Sequence, residues 1–130
     1  MYTFFEYCYY RIHSWYIVHK VDRTPRIYST HWVSFGQTSN VITLICPLCY
    51  CLNIKVEFLF IFFPIHIIHC WLNYSFLLTE KKYQELTEKY KNEKHKKMKG
   101  WGVFFYLVFS ILIGLVCICF LKITSHSILN

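Results

Sequence analysis

The sequence predicts an all-α membrane protein: a two-span transmembrane helical hairpin with a charged, helical connecting segment. Three observations predict it. The 130-residue chain is 55% hydrophobic and 21% aromatic, with a mean hydropathy of +0.32, and that apolar share exceeds what an ordinary soluble domain carries. Two stretches, Phe58 to Leu78 and Trp101 to Leu121, contain no formal charge. Between them, residues 79–100 hold eight of the fourteen Lys and Arg residues, and basic loops stay on the cytoplasmic side of a membrane.

Residues 1–40 are mixed, aromatic and moderately basic, with Arg11, Lys20, Arg23 and Arg26 set against Glu6 and Asp22. No apolar period is sustained, and Thr24-Pro25 and Gly36 to Asn40 are turn-forming residues. Irregular structure resting in the membrane interface is expected, where Tyr and Trp are favoured. With Glu6 and no basic residue before Arg11, a secretory signal is not expected there. Residues 41–57 begin with an apolar run, Val41 to Leu52, that Pro47 interrupts. About 20 residues are needed to cross the hydrocarbon core, so this shorter piece is expected to be interfacial or re-entrant.

Residues 58–78 form the first candidate transmembrane helix, which covers about 31 Å at about 1.5 Å per residue, with Pro64 as a kink. Residues 79–100 pair Glu85 with Lys89 and Glu93 with Lys97 at the favourable helical spacing. Their apolar stripe of Tyr83, Leu86 and Tyr90 lapses at Glu93, so a solvated cytosolic helix is expected rather than a coiled coil. Residues 101–122 form the second transmembrane helix, with Trp101 as its interfacial anchor beside Lys99 and with Lys122 closing it. Residues 123–130 are a short tail. The hairpin puts both termini on the lumenal or exterior side. Should 58–78 lie on the membrane instead, the chain becomes a single-pass tail anchor with a cytosolic N-terminus. In either arrangement the sequon Asn73-Tyr74-Ser75 is expected to stay unmodified.

Three constellations are candidates for function. Cys46, Cys49, His66 and His69 have the ligand types of a zinc site. Their spacing departs from known fingers, and apolar surroundings oppose the thiolate a metal needs. The seven cysteines, an odd number with Cys117 and Cys119 inside an apolar run, read as reduced thiols, and no cofactor is expected. His66, His69 and Asn73 fall at i, i+3 and i+7, which makes one polar stripe on a helix within the membrane. The expected role is hydrogen bonding to the second span at Ser110, which with Gly114 forms a small-xxx-small surface. The sharper reading is a proton or ion path. Lys94, Lys96, Lys97 and Lys99 are expected to attract anionic headgroups or an acidic partner, each contributing about 1 kcal/mol near the surface.

Nucleic acid is not expected as a partner, because this patch has no Arg for bidentate base reading. An enzyme is not expected either, since nucleophile elbow, phosphate-cradling loop and His-Glu-x-x-His motifs are all missing. These features point to a structural or interaction protein, an anchor or adaptor, with the bilayer and its anionic headgroups as partners and a membrane protein or a second copy as a further one. Two alternatives stand beside it: a small transporter or channel component built on the His/Asn stripe, and an unselected open reading frame with no function. The last follows from the absence of alanine and the abundance of Phe, Tyr, Ile, Lys and Asn, a profile that AT-rich codons produce.

Overall fold

In the computed structural model residues 2–20, 24–52, 54, 57–77 and 79–127 are described. They form five helices and no strand: α1 (Tyr2–His19), α2 (Pro25–Cys51), α3 (Phe58–Leu77), α4 (Glu80–Tyr90) and α5 (Lys96–Ser127). The all-helical class expected from the sequence is what is observed. Two helices, α3 and α5, are long and apolar enough to cross a membrane.

Two expectations are corrected. Residues 1–40 are not irregular but helical over most of their length, and 41–51 belong to one continuous helix with 25–40 rather than to a separate interfacial segment. At about 1.5 Å per residue the 27 residues of α2 reach about 40 Å. Pro25 starts it, at the position where a missing N–H costs nothing, and Pro47 falls within its last turns, where little of the hydrogen-bond ladder remains to be broken. Gly36 to Asn40, turn formers in water, continue as helix with Gly36 and Ser39 in close approach to α5 and Gln37 and Asn40 hydrogen-bonded to Asn73 and Tyr106.

Those neighbours are α5, parallel to α2, and α3, antiparallel to it. The parallel register is fixed by Gly36 beside Leu107 and Tyr106, Ser39 beside Gly114 and Tyr50 beside Phe120. The antiparallel register is fixed by His31 beside Tyr74 and Thr38 beside His66. A Cβ built on Gly36 would lie 2.9 Å from Leu107 Cδ2, and one on Gly114 3.5 Å from Ser39 Cβ. Small residues therefore set how closely α2 and α5 approach.

Burial in this three-helix unit is inverted relative to a water-soluble domain. Ser29, Thr30, Ser34, Thr38, Ser39, Asn73 and Ser110 are buried, while Trp32, Leu44, Phe60, Ile67, Trp71 and Phe109 are exposed. Of the apolar windows of α3 and α5, only 11% and 22% are buried within the molecule. These are outward-facing apolar helices, unlike the core helix of a soluble protein.

At the end of the bundle where α2 and α5 begin, α1 and α4 pack together as a cap. Its interior is aromatic: Tyr90 lies against Tyr7 and Tyr10, with ring centroids 5.0 and 5.3 Å apart, and His13 against Tyr83 at 4.1 Å. Leu86 is the buried residue of α4. The expected solvated helix is thus docked along its Tyr83, Leu86 and Tyr90 stripe. His95 adopts the left-handed conformation, φ 59°, where the chain turns from α4 into α5.

Candidate functional site

The polar seam between α2 and α3 begins with hydroxyls that return their protons to their own helix. Ser29, Thr30, Ser34, Thr38 and Thr43 each donate to the carbonyl four residues earlier, a pairing that lets a hydroxyl sit in apolar surroundings. Their oxygens remain available as acceptors. Asn73 of α3 is 2% exposed and donates its amide protons to Ser34 Oγ at 2.9 Å and Gln37 Oε1 at 2.6 Å.

One turn further, Thr38 Oγ1 lies 3.3 Å from His66 Nδ1 and 3.0 Å from His69 Nδ1. Because the Thr38 proton goes to the Ser34 carbonyl, both imidazoles donate from Nδ1 and keep their Nε2 lone pairs. His66 Nε2 then faces Cys70 Sγ at 3.5 Å, and the same sulfur is 3.6 Å from His31 Nδ1. His31 Nε2 in turn lies 3.4 Å from the Tyr74 hydroxyl.

The residues singled out from the sequence are therefore partly gathered and partly separated. His66, His69 and Asn73 do share one face of α3, but they meet α2 and not Ser110. Ser110 is buried on α5, and Gly114 one turn on from it touches Ser39, so that small-residue surface also serves α2. The Cys46, Cys49, His66 and His69 set does not assemble. Cys46 lies eight residues beyond Thr38 on α2, about 12 Å along the axis, and its electrostatic neighbours are Cys117 and Cys49. Sequence reasoning missed His31, Ser34, Gln37 and Thr38. The spacing of four from Thr30 through Ser34 to Thr38 was the signal that could have found the last of these.

The second candidate region is the basic end. Glu93 is paired with Arg11 and, at 2.9 Å, with Lys99. Burial works to raise its pKa, but hydrogen bonds from Lys99 and Tyr7 and the charges of Arg11 and Lys99 prevail and hold it below the usual carboxylate range. Lys82 Nζ sits 2.7 Å from Glu6, whose hydrogen bond and charge raise the amine above its ordinary value. Arg26 pairs with Glu80. Lys99, expected to meet headgroups, is thus engaged within the molecule, and Lys96 donates to the Lys91 carbonyl at 2.8 Å. Lys94 and Lys97 make no ion pair among the described residues, and they flank an exposed face carrying Met98 and Trp101. Beneath α4, Tyr9 Oη and both nitrogens of His13 are buried without a hydrogen-bond partner. Burial, helped by the Arg26 charge, pushes the His13 pKa down to about 4.

Comparison with protein families, with characterised proteins and with solved structures finds no match for this chain.

Proposed function

We propose that the chain crosses a membrane three times, through α2, α3 and α5, and acts as an interaction scaffold whose basic end gathers anionic headgroups on the cytoplasmic side. The observation that carries this reading is the pairing of α1 with the Lys-rich segment, to α4 through Glu6–Lys82 and to the turn after α4 through Arg11–Glu93. A two-crossing hairpin of α3 and α5 puts the N-terminal helix on the opposite side of the bilayer from the Lys-rich segment, where these pairs are impossible. One more crossing, by α2, brings the two together. The inverted burial of α2 supports the same reading. Its Ser and Thr hydroxyls are hydrogen-bonded within the helix, and Ile27, Trp32, Leu44 and Leu48 face outward, an arrangement that suits a bilayer.

Lys94 and Lys97 are the residues best placed to hold headgroups, with Trp101 at interfacial depth beside them. The seam groups His66, His69 and Asn73 are engaged with α2, which favours helix-to-helix adhesion over a conduction path. Two measurements test the proposal. A cysteine at Glu57, placed in a cysteine-free background, is labelled by an impermeant maleimide only from the side opposite the basic end; labelling from the basic side removes the third crossing. Full-length protein extracted from mixed bilayers retains phosphatidylserine over phosphatidylcholine, and Lys94→Gln with Lys97→Gln lowers that preference by about 1 kcal/mol per lysine. An unchanged preference removes the headgroup role.

A further inference from the structure

We infer that His31, His66 and Cys70 form a Zn2+ site that clamps α2 to α3, with a fourth position open to water or a partner's donor. The three ligand atoms lie within 4.8 Å of one another, and among the described residues this is the place where His, Cys, Asp and Glu side chains gather so closely. A tetrahedral zinc with bonds of about 2.3 Å to sulfur and about 2.0–2.1 Å to nitrogen sets sulfur and nitrogen ligands about 3.5 Å apart. Both sulfur-to-nitrogen separations, 3.5 Å to His66 Nε2 and 3.6 Å to His31 Nδ1, already have that value.

The surroundings suit a metal as well as the distances do. Metal-bound imidazoles have their other nitrogen held by an outer partner that fixes tautomer and ring orientation. His66 has Thr38 in that role, with Thr38 itself fixed by the Ser34 carbonyl, and His31 has the Tyr74 hydroxyl. His66 and Cys70 stand one helical turn apart on α3, and His31 reaches them from the facing helix. A mixed thiolate and imidazole set is the donor chemistry that zinc takes. On binding, the Cys70 S–H bond is replaced by a Zn–S bond and the proton leaves to solvent. His31 is exposed and lies six residues from the start of α2, about 9 Å along the axis, which sets the site towards the basic end. The site does not depend on the headgroup reading.

The test is titration of full-length protein in detergent with Co2+, followed by displacement with Zn2+. One Co2+ per chain is expected to give thiolate charge-transfer absorption and the strong visible bands of a tetrahedral ion, both bleached by Zn2+. Cys70→Ser, which keeps a hydrogen-bonding group but not the soft ligand, abolishes the charge-transfer band. His31→Gln, at an exposed position that preserves folding, weakens binding more than about 100-fold, and Thr38→Val, which removes an outer partner, about 10-fold. Cys46→Ser together with Cys49→Ser leaves the titration unchanged. Failure of the wild-type protein to bind stoichiometrically overturns the inference. So does a charge-transfer band that survives Cys70→Ser or disappears in the Cys46 and Cys49 variant.

Discussion

The bundle of α2, α3 and α5 and the cap of α1 and α4 use the same kinds of residue in opposite senses. In the bundle, hydroxyls, glycines and an amide join Val33, Ile42, Leu77 and Leu107 on the inside, while Trp32, Phe60, Ile67, Trp71 and Phe109 face outward. In the cap, Tyr and Leu face inward, and ion pairs such as Arg26–Glu80 and Lys82–Glu6 link its rim. Under the three-crossing proposal, the difference teaches that one short chain meets two solvents. Where water surrounds it, apolar burial and charge pairing hold the helices. Where it does not, close approach and hydrogen bonds between helices take over. Salt and pH are therefore expected to act on the cap, and small-residue substitutions on the bundle.

The sharpest break in the cap is Arg11→Met. It leaves the mostly buried Glu93 with Lys99 as its remaining cation and is expected to cost about 3 kcal/mol. That loss is read as cap unfolding by hydrogen exchange at α1 and α4 while α2 and α5 stay protected. Equal loss of protection in the bundle would mean that the two regions are one cooperative unit. The bundle's counterpart is Gly36→Leu, which forces a side chain into the space of Leu107 and is expected to cost about 2 kcal/mol. Gly102→Ala is its control, since a Cβ there meets nothing within 4 Å. A control as destabilised as Gly36→Leu would show that the close approach of α2 and α5 is not what matters. Asn73→Leu removes two hydrogen bonds from the α3 seam and is expected to cost about 1 kcal/mol, seen in the detergent-unfolding midpoint and unaffected by salt.

The gentlest probe is pH. His13 has a folded pKa of about 4 against an ordinary value of 6.5, so the unfolded cap binds the proton more readily. Cap stability is full above about pH 6.5 and declines as pH falls from 6.5 towards 4. The charged groups acting on His13 are Arg26, which lowers the pKa, and Glu80, which opposes it. His13→Phe is expected to flatten the profile in this window, and a wild-type profile already flat there would remove His13 as the titrating group.

Much of the helical architecture was legible in the sequence where uncharged runs give way abruptly to charge. The uncharged runs now in α3 and α5 follow from composition alone, whereas the expected pairing of Glu93 with Lys97 gives way to Arg11 and Lys99, because the helix breaks between Tyr90 and Lys96. The long helix α2 was not legible, for a physical reason. Its inward stripe is made of Ser, Thr and Gly, which an apolar periodicity cannot register and which turn statistics in water assign to breaks. His31 was likewise invisible as a ligand, because its partnership with Cys70 spans 39 positions and depends on the register between two helices.

The hydroxyl ladder of α2 carries one consequence for assembly. With every proton from Thr30, Ser34 and Thr38 directed back along its own spine, these three positions turn lone pairs outward. A neighbour that brings hydrogen-bond donors, as α3 does through its amide and imidazoles, satisfies them. A helix presenting acceptors alone in the same groove would leave them unmet, so the polarity of a single stripe decides which neighbour this segment accepts.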